Sequence, residues 1–313
     1  MTWCNITCLA TLVLVLSACA PPPPVDADGR PLIQKLGTIA VDKVETTPIV
    51  FQGKLYRCEW YRNKGCFHFV EHDTRRATPQ FAKGWAFASA FVEGDTVYVS
   101  GSKHGPQVQM FVSKDLERWE EYTALDLPGF KIFNTSIAKA EGRYVLMFEI
   151  GAPKDQTGAA FTARFAFSDD LRKWEVTPPE CCYAKDRYTA PHCLRYLDGW
   201  YYNFYLEHVR GTYEQRIVRS KDLIHWEASP LNPVIRASDA DRTPVNPDLT
   251  PAERTRIAKA KNINNSDIDF CDYKGRLIIN YSWGNQKGVE HLAEAVYQGT
   301  EAQFLRGWFP SAK

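Results

Sequence analysis

The chain has 313 residues, with 38 Lys+Arg against 37 Asp+Glu, a formal net charge of +1. That balance argues against a basic nucleic-acid footprint and against a polybasic membrane patch, and 44% hydrophobic residues exclude extensive disorder. The aromatic share is unusual: 17 Phe, 15 Tyr and 9 Trp make 13%, a density suited to broad β-surfaces and sugar-stacking clefts.

The chain opens on an apolar run, Leu9 to Ala18, followed by Leu16-Ser17-Ala18-Cys19 at its end. This segment resembles a bacterial lipobox, in which Cys19 is lipidated and begins the mature protein. The run is too short for a spanning helix, which needs ~20 residues. Met1 to Thr7 lacks the Lys or Arg usual in such a leader. Pro21 to Pro24 read as a stiff spacer. The expectation is export, either secreted or held in the cell envelope with a lipid on Cys19 as the sole membrane contact. The division is then a signal and lipobox at 1–19, a Pro-rich lead-in at 20–45, and one domain at 46–313. Beyond Cys19 six cysteines remain, which allow 15 pairings. Cys58 and Cys66 flank a short turn and could pair across a hairpin, and buried free thiols are the open alternative.

A hairpin signal then recurs along the chain. Gly turns at Gln52-Gly53, Glu93-Gly94, Glu141-Gly142, Asp198-Gly199 and Lys274-Gly275 lie 41, 48, 57 and 76 residues apart. Each precedes a β-branched or aromatic run: Leu55-Tyr56-Arg57, Val97-Tyr98-Val99, Tyr144-Val145-Leu146, Trp200-Tyr201-Tyr202 and Leu277-Ile278-Ile279. A second marker, S-x-D-L-x-x-W, occurs at Ser113–Trp119, Ser168–Trp174 and Ser220–Trp226. Its Ser and Asp suit a turn in which side chains bond nearby backbone N–H groups, with Leu and Trp tucked between neighbouring sheets. Thr250-Pro251-Ala252-Glu253 predicts a helix start, with Thr as cap, Pro at the first position and Glu three residues after the cap. Its Arg254, Arg256, Lys259 and Lys261 read as a solvated face. The pattern predicts an all-β fold: a five-bladed β-propeller of four-stranded antiparallel blades, with a short helical insertion before the last blade.

On these repeats, and on a Glu closing several second strands, residues 46–310 resemble the five-bladed propeller glycoside hydrolases, the group of arabinanases, xylosidases, levansucrases and invertases. The resemblance implies an axial pocket with three carboxylates that hydrolyses or transfers glycosyl units of a glycan substrate, with no redox cofactor. The sequence offers Cys58-Glu59-Trp60, Phe148-Glu149-Ile150 and Leu206-Glu207-His208 at strand ends, where a Glu is expensive to bury without a partner or a purpose. Asp267 and Asp269 share one face of the last unit's first strand. Asp186 stands beside Arg187 before the fourth unit.

Glycosidic cleavage needs one carboxylic acid and one carboxylate. Glu207, in the aromatic setting Tyr201–Leu206, is the expected general acid, Glu59 the base or nucleophile, and Asp186 the modulator of the acid. Glu149 and Asp267 stand in reserve. Arg187, Asn134, His192, Asn265 and Trp283 are expected to meet the sugar. Glu71-His72-Asp73 reads as a surface turn and no metal site is expected. The family's Asp-Pro at the start of the first inner strand has no counterpart, since that segment reads Glu45-Thr46-Thr47-Pro48. Three possibilities stay open: Glu59 takes that role, the catalytic set has moved to other blades, or the pocket only binds sugar. A glycan phosphorylase would need a cationic phosphate site, for which Arg187 alone is available. A sialidase-like enzyme is disfavoured by Leu116, Leu171 and Leu223 at the Gly position of its related turn.

Overall fold

A computed structural model of the chain describes residues 24–310, so the apolar leader, Cys19 and the first three prolines lie outside the described residues. The first strand is β1 (Ile33–Val41). It is followed by β2 (Thr47–Phe51), β3 (Lys54–Tyr61) and β4 (Cys66–Glu71), then by β5 (Ala86–Glu93), β6 (Thr96–Ser102), β7 (Gln107–Ser113) and β8 (Glu120–Asp126). The third group is β9 (Lys131–Ala140), β10 (Arg143–Ala152), β11 (Thr162–Ser168), β12 (Glu175–Val176) and β13 (Cys182–Tyr183), with the one-turn helix α1 (Lys154–Thr157) inside it. The fourth comprises β14 (His192–Leu197), β15 (Trp200–Val209), β16 (Thr212–Ser220) and β17 (Trp226–Ala228). After α2 (Pro251–Lys259) come β18 (Asn264–Tyr273), β19 (Arg276–Gly284) and β20 (Glu290–Tyr297), and helix α3 (Glu301–Gly307) closes the chain.

Each group is an antiparallel meander, and a single parallel pairing, Tyr213 with Asn264, joins the fourth to the fifth. The inner strands β2, β5, β9, β14 and β18, which open the successive groups, each contact the next, and β18 also contacts β2. The hairpins fall where the Gly turns stand. Gln52, Glu141, Asp198 and Lys274 and the Gly after each all take positive φ, the two-residue geometry that matches strand twist.

The first group departs from expectation in having three strands, not four. The 20–45 lead-in also departs: it contains β1, which pairs antiparallel with β20 from Ile33 opposite Tyr297 to Val41 opposite His291. No hairpin turn flanks β1, because its partner lies at the far end of the chain. The thiols of Cys58, Cys66, Cys181, Cys182, Cys193 and Cys271 are free. Cys58 faces Phe69 and Cys66 faces Tyr61, so no bridge crosses that hairpin.

Helix α2 begins on its capping box, Thr250 Oγ1 accepting from Glu253 N and Glu253 Oε2 accepting from Thr250 N. Its basic face is only partly solvated. Arg254 donates to the carbonyls of Leu249, Pro244 and Asn246, and Arg256 pairs with Asp42.

The S-x-D-L-x-x-W turns share one geometry. Ser113 Oγ accepts from Leu116 N at 2.8 Å, and Asp115 Oδ1 accepts from Glu117 N and Arg118 N. Asp170 and Asp222 repeat this. Leu116, Leu171 and Leu223 are buried with φ of 62°, 62° and 64°, a left-handed conformation that costs a side-chain-bearing residue about 1–2 kcal/mol. Two opposed effects therefore meet at one residue. Both Leu171→Ala and Leu171→Gly lose burial worth about 2–5 kcal/mol, but Gly relieves the backbone. Urea denaturation should show Leu171→Gly as the milder change by about 1 kcal/mol; a milder Ala variant would contradict the strain account.

The β1–β20 seam carries a buried titratable group. His291 is fully buried, packs edge-on against Trp283 and has no partner on either ring nitrogen. Burial, aided by the charge of Arg256, pushes it down to about 4 from 6.5. Between these values the unfolded chain binds the proton and the folded chain does not. Stability therefore falls as pH drops through the window, by on the order of 3 kcal/mol. Thermal melts from pH 7.5 to 4 should flatten in His291→Leu, and parallel curves for the two proteins would contradict this.

Candidate active site

Near their starts three of the inner strands lose their regular pleat. Register shifts occur between Ala86 and Ser89 of β5, between Ser266 and Asp269 of β18, and between Ile132 and Thr135 of β9. Glu45, Phe87 and Asp267, at the starts of three inner segments, all have positive φ near 55°. Such bulges and strained residues re-aim side chains and concentrate beside functional sites. Here they turn all three into one cavity of about 260 Å³.

One wall of this cavity is aromatic. Phe87 packs edge-on against Phe133 at 5.7 Å, Phe133 against Phe161 at 4.4 Å, and Phe161 against Tyr188 at 5.8 Å between ring centroids. The lining also carries acids, Glu45, Glu149, Asp267 and Glu290, with Arg62 as the cavity's one cation among the described residues. Arg62 Nη1 lies 3.3 Å from Glu290 Oε2.

The four acids are held in different ways. Glu149 is fully buried, and both its oxygens are occupied. Oε1 accepts from the backbone N–H of His192 and lies 2.8 Å from its Nδ1, and Oε2 accepts from Asn134 Nδ2 at 2.8 Å. His192 Nε2 continues to Thr189 Oγ1 at 3.0 Å. Glu45 is the opposite case: its Oε2 is buried without a hydrogen-bond partner. Burial pushes this carboxyl well above the ordinary range, and the charges of Asp267 and Glu149 push it further. Asp267 rises to about 7, again chiefly through burial, with Ser266 Oγ donating to its Oδ2 at 2.6 Å as partial relief and Glu290 adding to the rise. Tyr188 is pushed up by burial and by Glu149 and Asp267.

The sequence-predicted residues divide into groups. Glu149, Asp267 and Asn134 line the cavity, and His192 stands directly behind Glu149. Glu207, Glu59 and Asp186 do not line it. Glu59 points into a cage of Lys43 (3.0 Å), Arg57 (3.2 Å) and His68 (3.3 Å) on the body of β3. Burial alone would raise its pKa, but the His68 hydrogen bond and the Arg57 and Lys43 charges outweigh that and hold it well below the usual range. Glu207 accepts from Tyr205 Oη at 2.9 Å and lies between Arg187 and Arg216. Asp186 is exposed and takes the other side of Arg187, which also donates to Tyr183 Oη. These residues form a rim cluster on the fourth group of strands.

Trp283 and Asn265 are corrected more sharply. Trp283 is fully buried, its Nε1 donating to Thr38 Oγ1 at 2.7 Å, so it presents no face to a sugar. Asn265 is spent on the buried Lys35–Asp241 pair, accepting from Lys35 Nζ at 2.9 Å. Among the described residues no three His, Cys, Asp or Glu side chains are grouped to hold a metal ion.

Sequence reasoning missed Glu45, Glu290, Arg62 and the Phe wall. Glu45 was within reach, three residues before Pro48 at the start of the first inner strand. The Phe residues were not, because Phe87, Phe133 and Phe161 come from three separate segments, with Phe161 outside any strand, and no local pattern shows that they meet.

No protein-family model matches the chain, and no curated protein matches it significantly. Solved structures do match. An α-L-arabinofuranosidase from Podospora anserina, in complex with cellotriose, aligns with a TM-score of 0.57 at 11% identity, over 89% of this chain and 95% of that one. The α-L-arabinanase of Cellvibrio cellulosa, complexed with arabinohexaose, gives 0.54 at 12%, over 88% and 99%. A xylan β-1,4-xylosidase from Bacillus halodurans gives 0.55 at 13%; the alignment takes in 84% of this chain and 54% of that one, so the chain spans about half the length of that enzyme. At such identities the likeness is one of fold: the chain has the predominantly β, propeller-type architecture of these proteins.

Gly151 makes room for the aromatic wall. A Cβ there would lie 2.6 Å from Phe133 Cε2 and 3.3 Å from Phe161 Cε1. Gly151→Ala should therefore cost about 1–3 kcal/mol by overpacking and shift the near-ultraviolet circular dichroism of these rings. A variant with native stability and an unchanged spectrum would show that the wall yields freely.

Proposed function

We propose that the protein is a glycoside hydrolase on a five-bladed β-propeller, with β2, β5, β9, β14 and β18 each opening a blade and β1 completing the last. The observation that carries this reading is the presence of two strongly perturbed carboxyls, Glu45 and Asp267, in one cavity that Phe rings also line. Glycosidic cleavage needs two carboxyl groups in opposite protonation states, and environments that raise a carboxyl's pKa keep the acid protonated at neutral pH. The aromatic wall suits the apolar face of a sugar ring. The likeness in fold to an arabinanase, an arabinofuranosidase and a xylosidase supports the same reading.

In this mechanism Glu45 is the general acid. Its proton goes to the glycosidic oxygen as the bond to the anomeric carbon breaks; a water supplies the hydroxyl that ends on that carbon, and the water's remaining proton passes to the carboxyl pair, so that Glu45 ends protonated again. Asp267, ionised above about pH 7, is the second carboxylate, facing the positive charge that develops on the ring. Glu149, with both oxygens already bonded, holds Asn134 in place, and His192 positions Glu149. These roles replace those expected for Glu207, Glu59 and Asp186. The lipobox-like Leu16–Cys19 supports an exported, lipid-anchored enzyme acting in a bacterial cell envelope.

Aryl arabinofuranosides and xylosides, together with arabino- and xylo-oligosaccharides, provide the assay. Glu45→Gln and Asp267→Asn should each lower kcat by about 10²–10⁴-fold. The acid limb of kcat/KM should fall near pH 7, activity rising as Asp267 loses its proton, and this limb should vanish in Asp267→Asn. Full activity in Glu45→Gln would remove the acid assignment. Binding without product release across the panel would favour a carbohydrate-binding protein instead.

A further inference from the structure

The near-zero net charge conceals a separation between the two ends of the strands. Glu45, Phe87, Phe133, Pro191 and Asp267, just before or near the starts of the five inner strands, all line the cavity. Successive strands of each group run antiparallel, so the first connection of every group lies at the far end and the second at the cavity end. The first connections read Gln52-Gly53, Gly94-Asp95, Glu141-Gly142, Asp198-Gly199 and Lys274-Gly275, three acids against one cation. Every second connection carries a cation free of any acid: Lys64 between β3 and β4, Lys103 between β6 and β7, Lys154 in α1, Arg210 between β15 and β16, and Lys287 between β19 and β20. Four more, Lys83, Lys131, Lys185 and Lys261, stand at or just before the starts of β5, β9, β14 and β18.

All of these cations are exposed. Among the described residues none has an ion-pair partner, in contrast to Arg62 and Lys43, which are held by Glu290 and Glu59. Lys64 and Lys103 lie over the rings of Tyr61 and Trp85, 4.9 and 4.2 Å from the centroids, contacts that hold a cation without neutralising it. Against them stand Asp126 at the end of β8, Asp155 in α1 and Glu253 in α2. A single exposed cation attracts weakly, because salt screens it over about 8 Å. A ring of one sign acts collectively, and such a field speeds the arrival of an oppositely charged partner by roughly 10–10³-fold. The cavity inside the ring has the other sign, with Glu45, Glu149, Asp267 and Glu290 against Arg62. An anionic group is therefore attracted to the mouth and repelled from the interior. A polymer that satisfies both carries its negative charge on the flanks and presents a neutral unit to the cavity.

We infer that the cavity end of the molecule is a docking surface for an anionic polysaccharide, from which an uncharged sugar unit enters the cavity. The docking surface follows from the placement of the charges; the entry of a neutral unit rests on the hydrolase reading. Nucleic acid is the rival polyanion. It carries a phosphate beside every nucleotide, which would have to approach the acidic interior.

Calorimetry on the full chain tests this with polygalacturonate, neutral arabinan and a DNA duplex, in low and high salt. Polygalacturonate should bind about tenfold or more tighter than arabinan in low salt and lose most of that advantage in high salt. A variant combining Lys64→Gln, Lys103→Gln, Lys154→Gln, Arg210→Gln and Lys287→Gln should lose it in low salt as well. A far-end variant combining Lys54→Gln, Lys221→Gln, Lys274→Gln and Arg276→Gln should bind as the native protein does. Circular dichroism and a thermal melt confirm the fold of both. Native affinity in the first variant, or an equal loss in the second, would overturn the docking surface. DNA binding as tight as that of polygalacturonate would overturn the polysaccharide as its partner. On aryl glycosides the first variant should keep the native kcat. On polygalacturonate bearing neutral arabinosyl or xylosyl branches its kcat/KM should fall about tenfold or more in low salt, and an unchanged value would count against the inference. A protein that docks polygalacturonate through these cations but hydrolyses nothing would retain the surface and overturn the hydrolase reading. One that hydrolyses neutral glycosides and binds polygalacturonate no better than arabinan would do the reverse.

Discussion

Antiparallel pairing of β1 with β20 is the constraint on which the site depends. It joins residues 33–41 to residues 291–297 and so fixes the first strand to the last meander. The chain leaving β1 must then cross to β2, and in doing so it lays down Asp42, Lys43, Val44 and Glu45. Those residues bring Glu45 into the cavity that Asp267 also lines. Without the seam, Glu45 would belong to a free terminal segment, and the entropy of ordering that segment would oppose every contact it makes. The seam is reinforced from inside by the buried Lys35–Asp241 pair, to which Asn262, Asn265 and Tyr281 all donate or accept.

The protein buries carboxylates in two contrasting ways. Glu59 is matched by three cationic or hydrogen-bonding partners and is an ionised element of the fold. Glu45 and Asp267 are half-buried in the cavity wall with few compensating partners, and their pKa values rise accordingly. An uncompensated polar group costs stability, and such groups collect where chemistry requires a shifted pKa. The same contrast explains why Glu59 was a misleading candidate. A Glu at the end of an apolar strand signals that burial has been offset, but not by what. The sequence around Glu59 does not reveal that Lys43 and His68 converge on it from other segments.

Much of the architecture was legible because it is local. Each Gly turn, its following strand and each S-x-D-L-x-x-W turn is set by residues within about ten positions, through backbone sterics and short side-chain bonds. The capping box of α2 was legible for the same reason. β1 was not, since its partner is some 250 residues away in sequence and strand pairing at that range leaves no local mark. The site was half legible. Asn134, His192 and Asp267 lie on inner strands and Glu149 on β10, all in hairpins that the Gly-turn pattern located. Glu290 and Arg62 sit beside turns, and Trp283, which looked exposed to a ligand in Tyr281-Ser282-Trp283-Gly284, is core because its indole N–H meets Thr38 of β1.

The proposed reading sets one sugar ring in the cavity lined by Phe87, Phe133, Phe161, Glu45 and Asp267. A crystal structure of the Asp267→Asn variant soaked with the oligosaccharide it binds tests this most directly. The terminal ring should lie against Phe87, Phe133 and Phe161, with the glycosidic oxygen within hydrogen-bond reach of Glu45. A sugar bound elsewhere, or a terminal ring with its glycosidic oxygen facing away from Glu45, would contradict the account.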